Sequence, residues 1–527
     1  MRVAPLKVFM LLLTVMTTGL CSCSQWTDDW RPSVDLPKLE PPLEQTAEPD
    51  AGTGTPDSDR PDEPLELTIE QAVLMAMENN RELHVERLEP EISRTFIEQE
   101  LAAFDPVFSA DVFAGRERIE NSSANSIRSS QTGAELGLSR DLPTGTSVGV
   151  EASTERNWGT SGDDRHATRV GLSVTQALLE GRSVAANLAD VRQARVDAAL
   201  SAYEFRGFAE ALVEEVENTY WRLVLAVRRE EIVTESLRLA EQQLEDTNHR
   251  IRVGQLAETE LAAAEAEVAL RKEALINARS EISSLRVRLL RLINPQMLRT
   301  EKSEVRTVTA PTVPPTPVEK LDRHIQVALA MRPELKEAQL QLQRGELEVV
   351  KTRNGLLPKM DLFISLGKTG YADSFGQSVS DLPDDGYDMF VGLSLSDAPQ
   401  RRAEQARHRR AAMTVTQRQR ALENLRDLVT HDVELAVIEV NRTLQQVHAT
   451  AATRQAQEEK VRAETAKFRV GNSTAFLVAA AQRDLLQSRV AEVEAQINYL
   501  TARIELYRAE GSLLARRGLS GDVTETR

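Results

Sequence analysis

Apolar side chains recur every three or four residues along two very long stretches of this chain. The stretches run through Val213, Val216, Tyr220, Leu223 and Val227, and through Val433, Val437, Val440, Leu444 and Val447. This spacing is that of the seam between packed antiparallel helices. It predicts long helices over 183–252 and 399–470. A helix of about 70 residues is ~105 Å long.

Shorter helices are predicted on either side of each long one. They cover 68–103 and 259–292 in the first half of the chain, and 321–354 and 473–510 in the second half. Each of these is about half as long as its neighbour. We therefore expect two short helices, stacked end to end, to pack beside each long helix.

Between the helices, apolar residues alternate with small polar ones, as at Val170, Leu172 and Val174. Strands are predicted at 107–115, 132–140, 146–154, 168–176, 359–367 and 388–396. This alternation suits a barrel with lipid outside and water inside, and equally a half-buried soluble sheet. The connections favour the membrane. Long polar loops are expected at 116–131, 155–167 and 368–387, with one tight turn at 142–145.

The order of these elements occurs twice. Arg252-Val253-Gly254 ends one long helix and Arg469-Val470-Gly471 ends the other, about 220 residues later, a period far longer than that of short solenoid repeats. Glycine suits the positive φ of a tight helix reversal, and Ser473 is expected to cap the next helix. The repeats are assigned to 65–294 and 320–510, with a linker at 295–319 and a tail at 511–527.

The N-terminus carries a targeting signal. Arg2 and Lys7 precede an apolar run that ends in Leu20-Cys21-Ser22-Cys23. This predicts a lipoprotein signal peptide at 1–22 and lipidation of Cys23, while an ordinary secretory signal remains the alternative. The acidic, Pro-rich segment 23–64 is interpreted as a tether.

Cys21 and Cys23 are the only two cysteines, so no disulfide or thiolate metal cluster is expected within the mature chain. No other stretch approaches 18 apolar residues. A membrane crossing would therefore need strands closed into a barrel.

Composition and motifs argue against several function classes. The net charge of −17 disfavours nucleic-acid binding. The histidines, such as His84, His249 and His431, are scattered, and no phosphate-binding loop or nucleophile motif is present. We predict neither an enzyme nor a bound cofactor or metal.

With these features the chain resembles the TolC-like outer-membrane efflux protein family, in its lipoprotein form, over roughly residues 65–510. The resemblance rests on the duplication, the segment Ala330-Met331-Arg332-Pro333-Glu334-Leu335, the Leu356-Leu357-Pro358 entry to a strand, and the two Val-Gly turns. It implies a mainly α-helical fold with membrane β-strands. In a homotrimer, the helices would form one periplasmic α-barrel and the strands one outer-membrane β-barrel.

The same resemblance implies a passive duct for a tripartite efflux pump or a type I secretion system. Its partners would be outer-membrane lipid, a periplasmic adaptor and an inner-membrane pump of the RND or ABC type. The helix tips where the adaptor would dock are Val253, Gly254, Gln255, Val470, Gly471 and Asn472.

The chain departs from this family in two respects. Some relatives carry acidic residues six and nine positions after the second tip glycine, where this chain has Leu477 and Ala480. An apolar constriction at Phe476 and Leu477, or an acidic ring from Glu260, is expected instead. The extra pair 132–154 also raises the strands from four to six per protomer. A trimer would close about 18 strands rather than 12, unless this pair folds aside.

The alternative function is a periplasmic coiled-coil lipoprotein, acting as an adaptor or scaffold that does not cross the membrane. It would share the helical seams and the Cys23 anchor. It would not require alternating strands or a duplicated order of strands and helices. The transported substrate is not readable from the sequence.

Overall fold

The computed structural model describes residues 65–120, 126–159, 162–254, 257–293, 305–313, 320–382, 386–470 and 472–519. The first repeat consists, in order, of β1 (Leu65–Leu67), α1 (Ile69–Asn79), α2 (Arg81–Glu86), α3 (Glu89–Leu101), β2 (Val107–Glu120), β3 (Ser126–Leu142), β4 (Thr146–Gly159), β5 (Gly162–Ala177), α4 (Val184–Asn187), α5 (Ala189–Arg252) and α6 (Thr259–Ile293).

After the linker strand β6 (Val305–Thr307), the second repeat consists of α7 (Leu321–Met331), α8 (Pro333–Asn354), β7 (Lys359–Ala372), α9 (Phe375–Ser380), β8 (Asp388–Ser396), α10 (Arg402–Arg469), α11 (Ala475–Ala509) and α12 (Leu513–Arg516). The long helices α5 and α10 have 64 and 68 residues, and the sequence predicted both to within a few residues. Among the described residues, no helix is long and apolar enough to cross a bilayer.

The helices pack as a row in which long and short helices alternate. The long helix α5 lies between α3 and α6 on one side and α8 and α11 on the other, and α10 packs against α8 and α11. Buried valines such as Val213 and Val433 fill the seams. Removing such apolar surface from water is the main stabilising term, roughly 25 cal/mol per Å².

The short helices stack end to end, as the sequence predicted. The side-chain amide of Asn80 donates to the carbonyl of Leu292 at 3.0 Å, which joins the start of α2 to the end of α6. In the second repeat, His324 of α7 contacts Glu510, which follows α11. Two short helices thus cover the length of one long helix.

The first short helix is not continuous, and the prediction of one helix over 68–103 was wrong. Asn80 has an extended backbone and accepts from the amide of Leu83 at 3.0 Å, so it starts a new helix instead of continuing the old one. Pro90 lies in the first turn of α3, where a missing N–H costs nothing. Pro333 divides the predicted helix 321–354 in the same way.

All six predicted strands form, and they make one six-stranded sheet in the order β2-β3-β4-β5-β7-β8. Every neighbouring pair is antiparallel. The additional pair, β3 and β4, therefore lies within the sheet and does not fold aside.

The predicted polar loops 116–131 and 155–167 are mostly strand, so this prediction was wrong. The ladder between β2 and β3 continues to Glu120 opposite Ser126, and that between β4 and β5 continues to Gly159 opposite Gly162. Backbone pairing sustains a hairpin even where polar side chains lie on both faces. The predicted loop 368–387 is likewise shortened by β7 and interrupted by α9.

The linker and the tail are partly ordered, which the sequence did not predict. The linker strand β6 pairs in parallel with β1. Tyr220 contacts both chain segments at the C-terminal end of this small sheet: its hydroxyl donates to the carbonyl of Leu67 at 2.9 Å and accepts from the amide of Thr309 at 3.1 Å. At the C-terminus, Leu513 and Leu514 of α12 are buried.

Candidate functional site

The six-stranded sheet has one apolar face across its whole width. Residues that lie directly opposite each other in the ladders share this face. Its apolar members include Phe108, Val112, Leu136, Leu138, Val148, Val150, Val170, Leu172, Val174, Leu362, Ile364, Leu366, Met389, Val391, Leu393 and Leu395. Several of these side chains are more than half exposed in the isolated chain, among them Val112 and Leu393. An apolar surface of this continuity is unusual unless lipid or another protein covers it.

The opposite face of the sheet is small and polar. It carries serines, glycines and carboxylates, with an ion pair of 2.8 Å between Arg169 and Asp388. Two of its rings lie over glycines, Phe113 over Gly133 and Phe363 over Gly392. The Phe363 ring also stacks on that of Phe390, at 5.6 Å between ring centroids. A side chain at Gly392 would collide with the Phe363 ring, so this glycine is required by close approach.

The first helix tip has the predicted turn. Gly254 has φ of +74°, and its amide donates to the carbonyl of Ile251 at 3.0 Å. A Cβ at Gly254 would meet no atom within 4 Å, so the backbone conformation, not crowding, favours glycine here. Val253 is exposed beside it. Gln255 lies outside the described residues.

At the second tip, Gly471 lies outside the described residues, while Val470 is 73% exposed. The amide of Asn472 donates to the carbonyl of Lys467 at 2.8 Å. The prediction that Ser473 caps α11 was wrong. Thr474 is the cap and accepts from the amide of Leu477 at 3.3 Å.

Ser473 instead donates to Glu464 at 2.9 Å. Hydrogen bonds from Lys467 and Ser473 hold the pKa of Glu464 below its usual range.

The two tips lie close together, at the same end of the long helices α5 and α10. The guanidinium of Arg250 lies 4.7 Å from the centroid of the Phe468 ring, which brings the ends of α5 and α10 together. Phe476 and Leu477 are exposed at the start of α11, and Glu260 is partly exposed in the first turn of α6. This end of the molecule therefore presents Val253, Val470, Phe476 and Leu477 as an exposed apolar group.

A buried network of charged side chains near the middle of α5 was not predicted from the sequence. Arg517 donates two hydrogen bonds of 2.5 Å to Glu217, whose side chain is fully buried. Glu510, also fully buried, contacts His324 and accepts from Ser512 at 2.8 Å and from Arg516 at 3.1 Å. The heptad position of Glu217 between Val213 and Tyr220 was the available signal, because a carboxylate in an apolar seam needs a buried partner.

Two further carboxylates in this region are perturbed by burial. Burial raises the pKa of Glu210 to about 7, against the opposing effect of Arg206, whose Nε lies 3.6 Å away. Burial and the neighbouring Glu204 and Glu334 raise the pKa of Glu337 to about 7. Among the described residues, no group of three or more His, Cys, Asp or Glu side chains could hold a metal ion.

Comparisons with known proteins agree with this geometry. Residues 324–512 match the family model described as outer membrane efflux protein. No curated protein sequence matches the chain significantly.

Solved structures match over most of its length. The outer-membrane channel OprN has a TM-score of 0.64 at 17% identity, covering 84% of this chain and 90% of its own. The Campylobacter jejuni CmeC outer membrane channel has a TM-score of 0.64 at 13% identity, covering 93% and 98%. The Vibrio cholerae outer membrane protein VceC has 0.62 at 15%, covering 84% and 96%.

These similarities extend over both repeats, whereas the family model covers the second. The chain thus matches the outer membrane efflux protein family model over residues 324–512 and has the fold of the outer-membrane channels OprN and CmeC.

Proposed function

We propose that this chain is the outer-membrane channel component of a tripartite efflux pump or a type I secretion system. The observation that carries the proposal is the apolar face of the six-stranded sheet. Lipid outside and water inside require one apolar and one polar face on every strand. The sheet meets this requirement from β2 to β8. Substrate would pass along the polar face without covalent chemistry.

The two open edges of the sheet support closure by further copies. The edge strand β2 runs away from the helices and the other edge strand, β8, returns towards them. Because these directions are antiparallel, β2 of one copy can pair with β8 of the next. Unpaired strand edges are not tolerated in lipid, since their N–H and C=O groups lack partners there. Three copies would close 18 strands.

The row of helices, like the sheet, has two sides on which no neighbouring element of the described chain packs. One of these sides carries exposed apolar residues on α10, including Leu435 and Ile438, and the other carries Ile92 and Phe96 on α3. A second copy would cover both sets by continuing the alternation of long and short helices. This supports a homotrimer whose helices close a periplasmic tunnel beneath the barrel.

The exposed tips are the proposed docking site for a periplasmic adaptor that links the channel to an inner-membrane pump. The six tip residues are Val253, Gly254, Gln255, Val470, Gly471 and Asn472. The proposed periplasmic constriction is formed by the apolar side chains of Phe476 and Leu477. Glu260, which follows the first tip in the sequence, is the acidic candidate for the same role. Lipidation of Cys23 would add an anchor to the outer membrane.

A coiled-coil scaffold that stays in the periplasm would not require an apolar face on the sheet. Such a protein would expose this face to water, at a cost that grows with its area. The decisive experiment is reconstitution of the full mature chain in planar bilayers, with its mass measured in mild detergent. We expect a trimer and discrete channel conductance. A conducting monomer, or a trimer that never conducts, would contradict the proposal.

A further inference from the structure

Charged residues are divided unequally between the two faces of the sheet. On the apolar face, the charged side chains that the structure describes are all basic: Arg116, Arg118, Arg128, Arg140, Arg156 and Lys368. The ladders fix these faces, because residues directly opposite in neighbouring strands point to the same side.

The polar face has the opposite balance. Its carboxylates include Asp111, Glu135, Glu151, Asp361 and Asp388. Its basic residues include Arg169, which pairs with Asp388 at 2.8 Å. The separation of charge therefore follows the pleat of the sheet and is not a general property of the strands.

Four of the arginines on the apolar face lie together at the end of the strands farthest from the helices. We call Arg116, Arg118, Arg128 and Arg156 the basic belt; all are exposed. The apolar residues end just before it, at Ala114 in β2 and at Ala152 in β4. The belt is thus continuous with the border of the apolar face. Arg118 lies directly opposite Arg128, so a single phosphate could reach both guanidinium groups.

Two aromatic or apolar features accompany the belt. The guanidinium of Arg156 lies 5.1 Å from the centroid of the Trp158 ring, which occupies the same face. Tryptophan is enriched at membrane interfaces, where one side of the ring is apolar and the other is wet. The short helix α9 also folds onto this face, held by a 2.7 Å hydrogen bond between Ser378 and Thr168, and leaves Phe375 exposed.

We propose that the basic belt binds the phosphate groups of anionic lipids in the outer leaflet of the membrane. This rests on the proposed function, which places the apolar face in lipid and the belt at its outer border. Arginine forms paired hydrogen bonds with phosphate in a fixed geometry, so it suits this ligand better than a simple positive charge. The contact would fix the height of the barrel and slow its lateral exchange between lipids.

The test is binding of bis-phosphorylated lipid A to the purified full-length channel in detergent, measured by native mass spectrometry. The test variant combines R116Q, R118Q, R128Q and R156Q. The control variant combines R165Q and R169Q, which remove basic residues from the polar face of the neighbouring strand β5. Since each basic residue near an anionic surface contributes about 1 kcal/mol, the test variant should bind at least ~10-fold more weakly. The control variant should change by less than about twofold.

Three results would overturn the proposal. The test variant could bind lipid A as the wild type does, the dephosphorylated lipid could bind equally well, or inorganic phosphate could displace lipid A at the same phosphate concentration. The last result would indicate a simple anion site. Conductance of the test variant separates the two proposals. If conductance persists while lipid A binding is lost, both stand; if the wild type never conducts, the proposed function fails whatever the lipid result.

Discussion

In the first repeat the hairpin helices have 64 and 35 residues, and in the second they have 68 and 35. The strands of the two repeats differ much more, because the first contributes β2 to β5 and the second only β7 and β8. The helices are constrained because each long one must match two stacked short ones. The number of strands in the sheet can change by whole hairpins. An added hairpin contributes two antiparallel strands, so the directions of the two edge strands stay the same.

The tips show a smaller difference between the repeats. Both long helices end in Arg-Val-Gly, but the third residue after the glycine is Ala257 in the first repeat and Thr474, which caps the following helix, in the second. Symmetry of sequence at the turn therefore does not extend to the helix that follows. Each of these differences can be tested by a change in one repeat and a matched change elsewhere.

The largest effect is expected from a charge on the apolar face of the added hairpin. Val150→Arg places a charge where the proposal puts lipid, at a cost of about 2–4 kcal/mol in each copy near the bilayer midplane. Membrane insertion and trimer yield should fall sharply. Ser153→Arg, on the polar face of the same strand, is the control and should insert normally. Equal insertion of both variants would place the added hairpin outside the membrane.

The next effect concerns the C-terminal segment, which only the second repeat has. Arg517→Ala leaves Glu217 buried without its cation and should cost about 3 kcal/mol of unfolding free energy. Chemical denaturation of the purified protein measures this loss. The double variant E217Q/R517A removes the charge as well and should recover part of it. If the single and double variants are equally unstable, packing by Arg517 is the cause and the ion pair is not.

The third effect concerns export and comes from replacing the glycine of the turn at a helix tip. Gly254→Val forces a β-branched residue to a φ of +74° and should cost roughly 1–3 kcal/mol locally. The trimer should form, because the seams and the sheet lie far from the turn, while export in cells should be lost. Gly254→Asn is the control, since Asn tolerates this conformation.

The matching variant Gly471→Val is expected to act in the same way, because Arg469-Val470-Gly471 repeats the sequence of the first tip. Normal export by the double variant at wild-type abundance would show that the tips are not the adaptor contact.

A smaller effect is expected from pH. Burial raises the pKa of Glu210 to about 7, so the folded chain keeps a proton that the unfolded chain releases near its ordinary value of 4.5. This contribution to stability is complete below about pH 4.5 and is lost as the pH rises through about 7.

Glu210→Gln mimics the protonated form at every pH. The melting temperature of this variant should therefore fall less between pH 5 and pH 8, corresponding to about 1–2 kcal/mol. Glu215→Gln changes a partly exposed carboxylate on the same helix, which pairs with Arg288, and should leave the pH profile as in the wild type. An unchanged profile in Glu210→Gln would exclude Glu210 as its source.

The smallest effect on the channel is expected outside both repeats. Cys23→Ala should abolish metabolic labelling with radioactive palmitate, and Cys21→Ala should not. Conductance of the purified trimer should stay the same, because a closed barrel is held in the bilayer by its own apolar face. Labelling that is lost with Cys21→Ala instead would assign the lipid to the other cysteine.

The sequence by itself determined the periodic parts of this protein. The spacing of Val213 and Val433 with their neighbours predicted the long helices, and the alternation around Val170 predicted the strands. Both signals are local, because one apolar face repeats with the period of its own element. The repeated Arg-Val-Gly placed both helix ends, and Gly254 has the positive φ that the turn required.

Only the tertiary structure decided where the strands end, which strands pair, and which buried charges meet. The polar residues after Ala114 gave no local sign of strand, since pairing with β3 supplies the stabilisation there. Arg517 and Glu217 are 300 positions apart, so no pattern along the chain relates them. A contact between distant residues is stabilised by the fold that brings them together, and for that reason it cannot be read from either segment alone.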